Sequence, residues 1–323
     1  MGAAATLFKR SPANPIITAR MLPYAANTVF NPAAVEIAGE TVLLMRVEDR
    51  RGISHLEVAR SSDGVTGWRF PPEPAFQPNP TEHPEEVWGV EDPRATWLEE
   101  RAEWGIAYTA YGRRGPLVSL ATTTDFKRFE RLGPTMPPED KDAALFPRRV
   151  DGRWMLIHRP VPTHGPAHIW TSFSPDLRHW GDLTLLLEAR DGAWWDADKI
   201  GLGPPPLETP EGWLLMYHGV HRTSSGSLYR AGLAMLDLED PTVVLRRSDE
   251  WVFGPSEPYE RIGDVVGVVF PCGWIHDVES GQLRLYYGAA DDSVCMATAE
   301  LSQVLDYMGQ CPRPERRRLS DQP

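Results

Sequence analysis

Three stretches of the chain, ARSSDGVTGWRF (59–70), ATTTDFKRFERL (121–132) and TSFSPDLRHWGD (171–182), follow one plan. In each, a strand-like run ends in small hydroxyl residues, an Asp opens a turn, and an aromatic residue follows about four to five positions later. Asp63, Asp125 and Asp176 stand roughly 50–60 residues apart, and AMLDLEDP (234–241) and MATAELSQVL (296–305) continue the spacing in degenerate form. Short runs rich in β-branched and aromatic residues surround these turns, at 41–47, 55–61, 103–111, 117–123, 154–159, 167–173, 212–219, 230–236, 265–273, 283–290 and 294–300. Each is bounded by Gly, Pro, Asp or Ser, the punctuation of β-strands. No long apolar stripe of helical period competes with them, and a short helix is expected only at SQVLDYM (302–308). A period of this size with about four strands per unit is the mark of propeller blades. The expectation is an all-β fold: a single five-bladed β-propeller over residues 1–323, with short N- and C-terminal extensions. A β-sandwich with unrelated Asp turns is the alternative.

Charge narrows the partners. With 45 acidic and 33 basic residues the formal net charge is −12, which repels nucleic acid and anionic membrane surfaces. A small anion needs only a local basic pocket, so it stays open as a substrate. The segment MGAAATLFKRSPANPII lacks an apolar core of signal-peptide length, and no stretch approaches a membrane span, so a cytoplasmic location is expected. Cys272, Cys295 and Cys311 are odd in number and show no metal spacing; reduced thiols without a functional role fit them. The 12 tryptophans serve either core packing or sugar stacking, and core packing is the commoner use.

In a propeller, polar residues from distant parts of the chain converge on a central channel, so charged groups that interrupt apolar strand contexts carry information. In VWGVEDPRATW (87–97), Glu91 and Asp92 sit between an apolar run and Pro93-Arg94. A structural ion pair with Arg94 is one reading; a carboxyl kept protonated in a partly apolar, Trp-lined site, as glycosidic cleavage requires, is the other. Residues 139–170 carry Lys141, Arg148, Arg149, His158, Arg159, His164 and His168. The three histidines span two strands and a Pro-rich loop, so their rings need not converge, and no metal is expected. His158 and Arg159 end an apolar strand, where a cation requires an anionic partner. Lys199 precedes a Gly/Pro-rich loop, His218 ends a very apolar strand, and Asp291 and Asp292 end another. Together these groups describe one pocket, with carboxylates on one side and a Lys/Arg/His cluster, suited to phosphate, carboxylate or sulfate, on the other. There is no phosphate loop, dinucleotide fingerprint, nucleophile elbow or Cys-His pairing.

The same segments resemble glycoside hydrolase family 130, the β-mannoside phosphorylases and β-mannosidases. The likeness runs from FNPAA (30–34) through RVEDR (46–50), GVEDPR, DKDAALFP, HRP, KIGLGPPP and GWLLMYHGV to VVFPCG and YYGAADD, nearly the whole chain. It implies a five-bladed propeller. It places the general acid at Asp92, phosphate ligands at Lys141, Arg159, Lys199 and His218, and sugar contacts at Asn31 and Asp291, with Arg46, Asp49 and Arg60 as further sugar-side groups. The implied reaction is inverting phosphorolysis of a β-1,2- or β-1,4-linked mannoside to α-mannose 1-phosphate. The acid acts through a mannose hydroxyl, with inorganic phosphate as co-substrate and no cofactor. An anionic nucleophile replaces the water and second carboxylate of an inverting hydrolase and demands a cationic cradle instead. Hydrolytic relatives lack part of the basic set, which is complete here; Lys141 keeps the charge where some relatives carry Arg. A β-mannosidase is the runner-up, followed by a non-catalytic sugar-binding propeller and a furanoside-cleaving one with three carboxylates. Leu117, Val266-Gly267 and Asp292 depart from common family residues near subsite loops, which points to a linkage or acceptor preference of its own. The resemblance leaves room for a homo-oligomer.

Overall fold

The structure, a computed structural model, describes residues 7–224 and 226–314. Two short strands, β1 (Lys9–Arg10) and β2 (Ile17–Thr18), precede five antiparallel sheets arranged as the blades of a propeller. Blade I is β3 (Thr28–Ile37), β4 (Glu40–Glu48) and β5 (Ser54–Ser61). Blade II is β6 (Val90–Leu98), β7 (Glu103–Gly112), β8 (Gly115–Thr123) and β9 (Glu130–Pro134); blade III is β10 (Asp140–Leu145), β11 (Trp154–Pro160), β12 (Ile169–Ser174) and β13 (Gly181–Leu187). Blade IV runs β14 (Lys199–Leu202), β16 (Gly212–Thr223), β17 (Gly226–Leu236) and β18 (Val244–Arg247), with β15 (Leu207–Thr209) also paired to β16. Blade V is β19 (Val269–Asp277), β20 (Gln282–Ala289) and β21 (Ser293–Glu300), and its outer strand is β1, whose Lys9 and Arg10 pair with Thr298 and Ala297. From Lys9 onward, then, the N-terminal segment is part of the ring. A single-turn helix, α1 (Pro258–Arg261), and a longer one, α2 (Leu301–Gln310), complete the fold; α2 lies where SQVLDYM predicts a helix.

The core is five wedges, one between each pair of neighbouring blades. Val42 and Leu44 of β4 pack toward blade II, whereas Leu43, Met45 and Val47 of the same strand pack toward blade V. Strand β11 does likewise, with Met155 and Ile157 facing blade IV and Trp154 and Leu156 facing blade II. A period-2 strand buried on both faces reads as a continuous apolar run, which is why TVLLM, WMLI and WLLMY stand out. The Asp repeat leads out of the third strand of a blade, to the outer strand in blades II and III and to isolated bridges at Arg69 and Phe76 in blade I: the carboxylates of Asp63, Asp125 and Asp176 each accept two backbone N–H groups at 2.8–3.0 Å. Asp237 does the same in blade IV. The fifth copy becomes α2, because β1 already fills the outer position of that blade. Among the described residues, no helix is long and apolar enough to cross a membrane.

Candidate active site

The first strand of each sheet lines the channel, and on three of them the ladder breaks beside a polar residue. Register shifts fall between Phe30 and Ala33 in β3, Glu91 and Arg94 in β6, and Lys141 and Ala144 in β10. Within each break an Asn or Asp takes a left-handed conformation: Asn31 at φ 48°, Asp92 at 49° and Asp142 at 54°. Short polar side chains tolerate this region best among non-glycine residues. A bulge bends its strand and re-aims one side chain, and here each re-aimed group lines a common cavity of about 680 Å³ at one mouth of the channel. Asp291, at φ 50° in the turn between β20 and β21, joins them from blade V. Two glycines make the convergence possible. A Cβ at Gly288 would strike the amide oxygen of Asn31, and one at Gly201 would strike both the Asp142 carboxylate and the His218 ring.

One wall of the cavity is built around Asp92. Its Oδ1 accepts from Asn31 Nδ2 at 2.8 Å and lies 3.4 Å from Arg46 Nη1. Arg46 also reaches Glu91 at 3.1 Å, donates to Ser54 Oγ at 2.9 Å, and lies over the Phe30 ring. Lys141 Nζ stands 3.4 Å from Glu91. Burial pushes the Asp92 carboxyl up, but Arg46, Lys141, Arg94 and the Asn31 N–H outweigh it and hold the group below the ordinary carboxylate value. This corrects the expectation of an apolar, Trp-lined acid: Trp88 and Trp97 are both more than 40% exposed, and cations surround Asp92. Asp291 behaves oppositely. Burial first, then the charge of Asp92, raise it to about 6.

The other wall holds the basic set. Arg159 Nε and Nη2 donate to Asp142 Oδ2 at 3.0 and 2.6 Å, and His218 Nε2 lies 3.4 Å from the same oxygen. Burial pulls His218 down to about 3, with nearby cations adding to the effect, so its imidazole is neutral at pH 7. Lys199 Nζ donates to Tyr229 Oη at 3.0 Å and, among the described residues, has no carboxylate within salt-bridge reach. Beneath both walls Arg94, 1% exposed, donates to the carbonyls of Asp92, Leu202 and Gly203 and lies 3.6 Å from Asp142. The carboxylate partner of Arg94 is therefore Asp142, not the adjacent Asp92.

Eight of the ten expected site residues line this cavity: Asn31, Arg46, Asp92, Lys141, Arg159, Lys199, His218 and Asp291. Asp49 and Arg60 do not. The Asp49 carboxylate binds the Arg51 side chain at 2.6 Å and the amides of Arg51 and Ile53, which makes it a turn former. Arg60 donates to the Asp125 carbonyl at 2.7 Å and pairs through its backbone with Arg69, stitching blade I to the Asp turn of blade II. The three histidines stay apart: His158 is held by Asp140 and Ser172 in the interior, His164 sits in the cavity lip, and His168 accepts from the Ala189 amide. Sequence reasoning missed Asp142 and Tyr229. The alternation of charge in EDKD hid the first, and nothing in SLYRAG marked the second.

Fold and site together define a propeller with a polar reaction chamber at one mouth of its channel. The chain belongs to glycoside hydrolase family 130, whose model, described as beta-1,4-mannooligosaccharide phosphorylase, matches residues 9–310. A beta-1,4-mannooligosaccharide phosphorylase from Ruminococcus albus is 35% identical over 93% of this chain and 90% of its own. The solved structure of a beta-1,2-mannobiose phosphorylase from Listeria innocua, in complex with beta-1,2-mannobiose, superposes with a TM-score of 0.84 at 28% identity, covering 94% of this chain and 99% of that one. A structure from work on family members that are hydrolases targeting beta-1,2 mannosidic linkages in Candida mannan superposes at 0.79 with 29% identity, covering 90% and 93%.

Proposed function

We propose that the chain is an inverting β-mannoside phosphorylase that cleaves a β-1,4- or β-1,2-linked mannoside with inorganic phosphate. The observation that carries this reading is the convergence of Arg159, Lys199 and His218 on one wall, and of Lys141 beside Glu91 on the other, around the single cavity that Asp92 also lines. Phosphate lies against the basic wall and the terminal mannose lies between the walls, contacted by Asn31, Arg46 and Asp291. A phosphate oxygen attacks the anomeric carbon. The glycosidic bond breaks on the opposite face, and its electron pair leaves on the acceptor oxygen, which takes a proton originating on Asp92 through a mannose hydroxyl. The products are α-mannose 1-phosphate and the shortened acceptor. Lys199, held by the Tyr229 hydroxyl, is placed to receive an anion.

The low proton affinity of Asp92 fits this sequence of events. Its carboxyl is depressed by Arg46, Lys141 and Arg94. An incoming phosphate offsets part of that positive field, and the sugar excludes water; both changes raise the carboxyl's pKa. The acid is thus armed by its substrates. Glu91 is bound to Arg46 and Lys141, and Asp142 to Arg159, so neither is a free base for water, and the basic groups of the cavity favour phosphate as the nucleophile over water activated by Asp291.

The test is incubation of the purified protein with β-1,4- and β-1,2-mannobiose, with and without phosphate, following products by phosphorus and proton NMR. Phosphate-dependent α-mannose 1-phosphate is expected. Free mannose at the same rate without phosphate would overturn the reading in favour of a mannosidase.

A further inference from the structure

Asp142 is a carboxylate set directly among Arg159, His218 and Arg94. It is 2% exposed, it lines the cavity, and it touches three basic groups at once: Arg159 through two hydrogen bonds, His218 at 3.4 Å and Arg94 at 3.6 Å. Its conformation is specified from two sides, by the left-handed bulge in β10 and by Gly201 of the next blade, where any larger residue would displace it. Two of the donor positions on Arg159 are committed to Asp142, while Nη1 carries no hydrogen bond among the described residues. A phosphate docked on this wall shares Arg159 with Asp142, so two anions compete for one buried guanidinium.

We propose that Asp142 is a positioning residue that acts as a built-in competitor of phosphate, holding Arg159 and His218 in place while keeping the affinity of the wall for phosphate low. The inference rests on the phosphorylase reading for its substrate, but the contacts stand without it. Buried cations require a counter-anion, and a missing one is strongly destabilising; Asp142 supplies it before phosphate arrives. A wall with no internal anion would grip phosphate and the phosphorylated product alike, and an interaction equal in ground and transition states does not raise turnover. Repulsion from Asp142 weakens that uniform grip.

The test compares the wild-type chain with Asp142→Asn. Calorimetric titration with inorganic phosphate should show at least about tenfold tighter binding in the variant, as expected for removing one like charge a few ångströms away in a partly shielded site. In steady-state kinetics KM for phosphate should fall with no rise in kcat, and KM for the mannoside should change little. The thermal midpoint of the variant should drop in chloride and recover in phosphate of equal ionic strength, because phosphate stands in for the lost carboxylate. Unchanged or weaker phosphate binding would reduce Asp142 to scaffolding and overturn the proposal, as would a variant that fails to fold even in phosphate. In Asp142→Asn/Arg159→Gln the gain in affinity should vanish; its persistence would also count against the shared-cation mechanism. If the wild-type chain makes no mannose 1-phosphate yet the variant still gains phosphate affinity, the reaction reading falls and this inference stands. A working phosphorylase whose variant gains nothing sinks this inference alone.

Discussion

The two mouths of the channel are built from the same five inner strands, yet they share almost no chemistry. Near their N-terminal ends these strands carry Asn31, Asp92, Lys141, Asp142 and Lys199. At the other mouth these strands and the segments that follow them present Ala34–Glu36, Ala95–Trp97, Pro147-Arg148, Pro205–Glu208 and Trp274-Ile275, around a depression of about 440 Å³. Bulges and left-handed residues mark the first mouth in β3, β6 and β10. At the second the ladder is regular, with Trp97 directly opposite Trp104 across the sheet. The difference shows how a repeated scaffold makes a single reaction site. The strand bulges of β3, β6 and β10, whose left-handed residues cost on the order of 1 kcal/mol each, lie at one end, where the regular pairing further along the same strands over-determines them.

The contrast can be broken most severely at Asp92. Asp92→Asn keeps the shape and the hydrogen bond to Asn31 but removes the proton donor; kcat for phosphorolysis should fall by at least about 10²-fold with circular dichroism unchanged. Near-normal turnover would move the acid elsewhere. Next in size, Lys199→Met should raise KM for phosphate by about tenfold or more, with little effect on KM for the mannoside, a split that initial-rate kinetics with each substrate varied resolves. Gly201→Ala should cost activity without touching substrate, because the new methyl must push aside Asp142 and His218; we expect a several-fold loss in kcat/KM for phosphate and a lower melting temperature.

A pH experiment is gentler. Asp291, raised to about 6, is ionised above that pH, so kcat/KM for the mannoside should decline as pH falls through 6, and Asp291→Asn should flatten that limb. The sign for stability is the reverse. A raised carboxyl contributes stability below the ordinary carboxylate value and loses it as pH rises through 6. The smallest effect belongs to the opposite mouth: Trp97→Ala should leave kcat/KM within about twofold and lower stability by about 1 kcal/mol, since that ring is 41% exposed. A large loss of activity would show that the two ends are coupled.

The same contrast explains what was legible in the sequence. Strands buried on both faces, such as β4, β11 and β16, announced themselves as apolar runs, and the Asp turns announced the repeat. The inner strands β3, β6, β10 and β14 left no such trace. Asn31-Pro32 and Asp92-Pro93 interrupt two of them with residues that ordinarily end a strand, and charge interrupts β10 and β14 at Lys141, Asp142 and Lys199. The elements hardest to see as strands are thus the ones that carry the site. Asp49 and Arg60 show the other side of the same limit: their motifs match, while their side chains lie outside the cavity, in a turn and in a seam between blades. Outer strands such as β9 and β13 escaped notice because they are short and largely exposed.

Closure of the ring by β1 has a consequence for the order of events during synthesis. Lys9 and Arg10 leave the ribosome nearly 300 residues before their partners in β21, Thr298 and Ala297. Until then the exposed edge of blade I and its half of the wedge with blade V lie open. Contacts this distant along the chain are slow to form and leave apolar surface at risk of aggregation. The growing chain must therefore hold a four-bladed arc in solution. Moving residues 9–18 to follow β21, by circular permutation, would let each blade complete itself as it emerges.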